Sequence, residues 1–124
     1  MSKLFILGGI LLILLVILSI SKRSILGFQN PGSEVIICKA SWCGHCKTAM
    51  PEFEKLVAAS PVKLKDGSDV TIRMLDSDAD SAAVQALNIR GFPTILIRSG
   101  PNAKPEEYSG PRTYDGVMGF LKSM

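Results

Sequence analysis

The chain has 124 residues, of which 47% are hydrophobic, and a formal net charge of +3 at pH 7. Lys3, Lys22 and Arg23 are three of its 14 basic residues, and the remaining 11 balance the 11 acids; the excess therefore brackets an apolar segment instead of forming a patch, which excludes a nucleic-acid binder. Beyond Arg23 the composition is that of a globular protein, which excludes disorder and leaves one domain of about 100 residues with a single core.

Of the 17 positions from Leu4 to Ile20, 14 are Ile, Leu, Val or Phe, and residues 4–21 carry no charge. A helix of that length spans ~27 Å at ~1.5 Å per residue, close to a bilayer core of ~30 Å. Residues 1–23 are accordingly predicted to be an N-terminal transmembrane anchor with basic flanks. A cleaved signal peptide is the competing reading: Ser19-Ile20-Ser21 offers a small-x-small site, but the apolar stretch is long and Lys22 and Arg23 follow at once. Gly8-Gly9 lacks the small partner four residues away that a helix-pairing motif needs. Charges on the two flanks nearly tie, so they leave the orientation open.

Residues 24–34, containing Asn30-Pro31-Gly32-Ser33, read as a linker to a domain over 35–124. Val35 to Ala40 predicts a buried strand. From Cys43 a helical period places Cys46, Ala49, Met50, Phe53, Leu56 and Val57 on one face. Asp66-Gly67-Ser68-Asp69 marks a turn, and Val70 to Leu75 a second strand. Asp80 or Ser81 can cap a short helix carrying Ala83, Val84 and Leu87. Thr94 to Arg98 is a third strand, and a fourth follows around Glu106 to Ser109. Thr113 can cap a last helix with Val117, Phe120, Leu121 and Met124 on its buried face. The order β-α-β-α-β-β-α predicts a small α/β sheet with helices on both faces.

Trp42-Cys43-Gly44-His45-Cys46-Lys47 joins the first strand to the first helix. A thiol at a helix N-terminus meets unpaired N–H groups and the positive end of the helix dipole, so its thiolate is favoured. That places Cys43 as the nucleophile and Cys46, one turn on, as the less exposed resolving thiol. A protonated His45 would add positive potential, stabilise the reduced form and make the pair a better oxidant. No metal or organic cofactor is expected: beyond these two cysteines only Cys38 and His45 remain as soft ligands, so a structural zinc site in one chain would need all four, and a cluster shared between two chains is the other metal reading. Haem attachment would need histidine where Lys47 stands. Cys38, in the first strand, reads as a small apolar core residue, with a third redox role as its alternative.

This segment resembles the active site of the thioredoxin superfamily, in the Cys-Gly-His-Cys variant typical of protein disulfide isomerase. The likeness extends through Cys46-Lys47-Thr48-Ala49-Met50-Pro51-Glu52-Phe53, similar to the family's active-site helix with its kinking proline. Gly91-Phe92-Pro93-Thr94 matches the cis-proline loop, and Tyr108-Ser109-Gly110-Pro111-Arg112-Thr113 the stretch whose arginine approaches the second cysteine. The resemblance implies a thioredoxin-like fold and a redox disulfide between Cys43 and Cys46, with His45 and Arg112 assisting. It also implies substrate contacts through Trp42, Gly44, Phe92 and Pro93.

Two departures stand out. The buried acid that most relatives place six residues before the first cysteine is Ile37 here, and its lysine partner is Met74, so a whole ion pair is replaced by apolar residues. Only about 11 residues separate Arg23 from Val35, fewer than the family's N-terminal strand and helix need, which predicts a fold shortened to about four strands. The expected function is membrane-anchored thiol–disulfide oxidase or isomerase chemistry on cysteine-containing proteins, assisted by an unidentified redox partner. The expected domain is a monomer, on the luminal side of the endoplasmic reticulum or another extracytoplasmic side. A tethered reductase and a non-catalytic peptide-binding adaptor are the alternatives.

Overall fold

The computed structural model describes the backbone of residues 2–26 and 32–124, and side chains over 3–18 and 32–124. The chain divides into two compact units, Met1–Asn30 and Pro31–Met124. Residues 27–31, the middle of the expected linker, lie outside the described residues.

The described residues of the first unit form one helix, α1, Ser2–Leu26. Its described side chains from Leu4 to Leu18 are all exposed, so the helix is apolar all round and not along one stripe. Among the described residues no helix is long and apolar enough to cross a membrane. The membrane anchor expected over 1–23 is therefore not supported.

The second unit comprises β1 (Ser33–Lys39), α2 (Gly44–Ala59), β2 (Val62–Lys63), β3 (Asp69–Asp76), α3 (Ser81–Ala86), β4 (Thr94–Arg98), β5 (Glu106–Glu107) and α4 (Tyr114–Ser123). The strands form one mixed sheet in the order β2-β3-β1-β4-β5. β1 runs parallel to β3 and antiparallel to β4, and the parallel pair requires a crossover, which α2 supplies. This is a five-stranded sheet where four strands were expected. The additional strand, β2, pairs antiparallel with Val70 and Asp69, and two residues are too few to show a period of two in the sequence. The turn that closes it is the one the sequence marks: Leu64 N–H donates to Ser68 O at 2.8 Å, and Gly67 sits at φ 84, a left-handed conformation that glycine adopts without penalty. The Asp66 carboxylate accepts from Ser68 N–H, and the Ser68 bonds hold its pKa below the usual value.

β1 is buried on both faces from Glu34 to Cys38, as its nearly unbroken apolar run demands. Val35 and Ile37 face α2 and α4, packing with Phe53, Leu56, Ile95, Val117 and Leu121. Ile36 and Cys38 face the other way, with Leu75, Val84 and Leu96. In α4, Val117 and Leu121 are fully buried, but Phe120 and Met124 are 43% and 45% exposed, which corrects their expected place on the core face. The i, i+4 pair occupies the centre of the stripe and the other two flank it; Phe120 instead meets Tyr108 edge-on at 5.4 Å. Glu34 is buried between Arg73 and Arg98, at 3.2 and 3.3 Å, a charged cluster the sequence reading did not single out.

Because β1 and β3 are parallel and β4 is antiparallel, the residues after β1, after β3 and before β4 emerge at one end of the sheet, where Cys38 is the register partner of both Leu75 and Thr94. Lys39 and Asp76 close this end with an ion pair of 2.7 Å. Lys39 and the backbone N–H groups of Asp78 and Ala79 hold the Asp76 carboxyl down to about 2. A depressed carboxylate stabilises the fold above its ordinary value of 3.8 and loses that contribution as pH falls through about 2. Asp76→Asn is thus expected to lower the urea midpoint at pH 7 and to converge with the parent chain near pH 2.

Candidate active site

The junction of β1 and α2 builds the centre. Cys43 is the N-cap of α2: its backbone is extended and its Sγ accepts from Cys46 N–H at 3.2 Å. Cys43 N–H donates in turn to Ala40 O at 3.2 Å, forming the tight turn through Ser41 and Trp42. A capping side chain compensates a helix donor that has no partner inside the helix. When the cap is a thiol, the same geometry favours its anion.

The two thiols are poised in opposite directions. Cys43 is held below the ordinary thiol value first by the hydrogen bond from the Cys46 side chain, then by the backbone N–H groups of Cys46 and His45, with a coulombic contribution from Arg112. Cys46 is only 1% exposed, and burial pushes its pKa up, as does its bond to the Cys43 sulfur; an N–H of Ala40 and the charge of Arg112 oppose the rise. One proton is thus released readily from the outer sulfur and retained by the inner one.

Each residue expected at the site has a definite place. Phe92-Pro93 is a cis peptide bond, and Pro93 is buried immediately before β4. The Cys43 thiol donates to Phe92 O at 3.6 Å, so the loop lies directly on the outer cysteine. Thr94 Oγ1 donates to Gly91 O at 2.6 Å and fixes the turn that presents it. Trp42 is 68% exposed and meets the Phe92 ring edge-on at 5.8 Å, which makes it a surface aromatic beside the sulfur, not part of the core. Gly44 borders open space, where an added Cβ would meet nothing within 4 Å. His45 is exposed, and its contribution to Cys43 comes through its backbone N–H, where the sequence reading looked to its ring. Arg112 is exposed on the loop before α4, and its charge reaches both sulfurs.

Several positioning contacts were not legible in the sequence. Ala40 supplies a backbone acceptor for Cys43 N–H and a donor toward Cys46, and backbone groups leave no mark on residue type. Glu52, on α2, accepts from Tyr114 N–H at 2.7 Å, which ties the active-site helix to the start of α4. Thr113 caps α4 through Gly116 N–H at 3.0 Å, as expected. At Gly116 an added Cβ would come within 2.7 Å of Pro111 O, so this glycine allows the close approach that seats the Arg112 loop.

Cys38 belongs to the apolar cluster beneath α3 and not to the cluster of Ala40, Cys43, Cys46 and Phe92. Burial raises its pKa, in keeping with a small apolar residue. Ile37 and Met74 are register partners on β1 and β3 and share the core cluster beneath α2. Among the described residues, no group of three or more His, Cys, Asp and Glu side chains is arranged to hold a metal ion.

Because Arg112 acts on both thiols through space, Arg112→Gln is expected to raise both pKa values. Alkylation of the reduced chain at pH 7 should slow by about twofold, the scale of a screened surface charge, and the difference should shrink in high salt. An unchanged rate at low salt would remove Arg112 from the site.

A sequence profile described as Thioredoxin matches residues 28–123. Rabbit (Oryctolagus cuniculus) protein disulfide-isomerase is 39% identical over 84 residues, 67% of this chain and 16% of the relative. Ricinus communis protein disulfide-isomerase is 40% identical over 87 residues, again 67% and 16%. The chain thus spans about a sixth of the length of these curated relatives. Among solved structures, the first thioredoxin domain of mouse protein disulfide-isomerase A4 superposes with a TM-score of 0.58 at 22% identity, covering 81% of this chain and 66% of that one. The first two thioredoxin domains of Naumovozyma dairenensis Eps1p give 0.62 at 24%, covering 74% and 34%.

Proposed function

The chain belongs to the thioredoxin family, and on that premise we propose that it catalyses thiol–disulfide exchange on cysteine-containing polypeptides through Cys43 and Cys46. The observation that carries the reading is the asymmetry of the pair. Cys43 caps α2 with a lowered pKa, while Cys46 is buried behind it with a raised one. Cys43 is 7% exposed and Cys46 1%, and a thiolate on the outer sulfur backed by a protonated thiol within hydrogen-bonding reach is the arrangement such exchange needs.

In the reducing direction, Cys43 thiolate attacks one sulfur of a substrate disulfide. The new S–S bond joins Cys43 to the substrate, and the other substrate sulfur leaves as a thiolate and takes a proton. Cys46 then loses its proton and attacks Cys43 Sγ, forming the Cys43–Cys46 disulfide and releasing the second substrate thiol. Two electrons and two protons have passed to the substrate. Run backwards from the oxidised pair, the same steps insert a disulfide. Stopped at the mixed disulfide and released by a different substrate thiol, they rearrange one with no net redox change.

The oxidising and isomerising directions are favoured by what stabilises the reduced form: the N-cap hydrogen bonds and the charge of Arg112 lower the energy of the Cys43 thiolate, and a stabilised dithiol is a stronger oxidant. The same chemistry suits a compartment in which disulfides persist, the lumen of the endoplasmic reticulum or another extracytoplasmic space. A redox titration of the whole chain tests this. A potential near −180 mV, the isomerase reference, is expected, and one near −270 mV, that of thioredoxin, would reassign it as a reductase.

A further inference from the structure

Next to the Cys43 sulfur lies a concavity that shares Phe92 with it. A cavity of about 350 Å³ is lined by Val84 and Gln85 of α3, Asn88, Ile89 and Arg90 of the following turn, and Phe92. Its apolar wall is Val84, Ile89 and Phe92; Gln85, Asn88 and Arg90 are exposed at its rim. It is continuous with the candidate active site through Phe92, whose carbonyl accepts from Cys43 and whose ring meets Trp42. At the lower end of ligand-pocket sizes, it suits a side chain or two of a larger partner.

The charges around it are unevenly engaged. At this end of the sheet Asp76 is bound to Lys39 and to two backbone N–H groups, Asp80 accepts from Asp76 N–H at 2.9 Å, and Asp78 accepts from the Ser41 hydroxyl. By contrast, among the described residues no carboxylate stands within ion-pair distance of Lys47, Arg90 or Arg112. The acids here have partners, and of the cations at this end only Lys39 has a carboxylate partner among the described residues.

We propose that this groove binds the flank of the polypeptide whose cysteine meets Cys43, and selects flanks that carry an apolar residue beside an acidic one. The apolar side chain packs on Val84, Ile89 and Phe92, and the carboxylate pairs with Arg90. From Phe92 back to Ile89 the chain spans at most ~10 Å, so the residues selected are those two and three positions from the substrate cysteine. The proposal rests on the exchange reading for its occupant; the groove, the charge imbalance and the shared Phe92 identify the flank.

Trp42 is the single tryptophan, exposed and in contact with Phe92, so its fluorescence reports occupancy. The whole chain is titrated with short peptides in which serine replaces the cysteine and Phe-Asp or Phe-Lys stands two and three residues away, before it in one pair and after it in another. In one of the two placements, the aspartate peptide is expected to bind about fivefold more tightly, a surface charge pair made rather than opposed. Arg90→Gln should bring that ratio to about one, and Arg90→Glu should invert it. A ratio near one in the parent chain, or one that survives Arg90→Glu, overturns the proposal. Separately, turnover of hydroxyethyl disulfide, which has no flanks, reads the exchange chemistry: its absence would overturn that reading while the peptide ratio still decides the groove.

Discussion

Cys43→Ser is expected to reduce disulfide exchange to the uncatalysed background, whereas Cys46→Ser is expected to leave the first step intact and to accumulate mixed disulfides that are not resolved. The difference follows from position. Cys43 is the N-cap sulfur with the lowered pKa and is 7% exposed, while Cys46 lies behind it at 1% exposure. The pH dependence separates the two thiols as well. With its pKa below the ordinary 9.0, Cys43 should be the thiol alkylated first at pH 7 in the reduced chain; Cys46, raised above 9.0, should react only in stronger base. Non-reducing electrophoresis and mass mapping of the alkylated residues check both. Equal modification of the two cysteines at pH 7 would overturn the assignment of roles. The same serine variant also distinguishes an enzyme from an adaptor, since an adaptor would show no exchange in the parent chain and would keep its partner binding in Cys43→Ser.

The second large effect concerns the replaced ion pair. Ile37 is fully buried, with Met74 as its register partner on β3. Ile37→Glu places a carboxyl among Phe53, Leu56 and Ile95 with no cation to meet it, and a stranded buried charge costs about 3–5 kcal/mol. That is a large share of the ~5–15 kcal/mol by which a domain is stable. Burial raises the pKa of the introduced carboxyl, so the sign is fixed: the penalty is small below its unfolded value of ~4.3, where both states are neutral, and grows as pH rises. Urea unfolding at pH 4 and pH 7 should show the gap widening with pH. Adding Met74→Lys should recover part of the loss at pH 7, with a coupling energy that a double-mutant cycle can measure. It should also speed resolution by Cys46, since a carboxylate below the active-site helix can accept its proton. A cost under about 1 kcal/mol for Ile37→Glu alone would show that the position is less apolar than the packing indicates.

What could be read in the chain and what could not divides along a physical line. The strand, turn and helix that build the centre are local: an apolar run ending at Ala40, a thiol in the N-cap position at Cys43, and a helical stripe through Cys46, Phe53 and Leu56. Their geometry follows from hydrogen bonds between residues a few positions apart, so spacing suffices to place Cys43 above Cys46. Thr113 was legible as a cap for the same reason, as were the limits of β4, where Thr94 to Arg98 was expected and found.

The rest depended on partners distant in sequence. Nothing in Val62-Lys63 marks a strand, because its pairing is supplied by Val70 and Asp69 across a turn. Periodicity placed Phe120 and Met124 toward the core without knowing where the sheet ends. The apolar run of 4–21 suggested a bilayer, yet among the described residues no helix is long and apolar enough to cross one. Glu34 acquires its meaning only when β3 and β4 bring Arg73 and Arg98 to it.

The sequence by itself therefore determined the cysteine pair at the start of α2, its order along the helix and the apolar identity of Ile37 and Met74. Those are properties of residue type at short spacing. Only the tertiary structure decided that Phe92 lies on the Cys43 sulfur, that Arg112 acts on both thiols, and that a groove with an unengaged Arg90 opens beside them. Each of those requires loops from three strands to meet at one end of the sheet, and that meeting is set by parallel and antiparallel pairing rather than by any stretch of the chain.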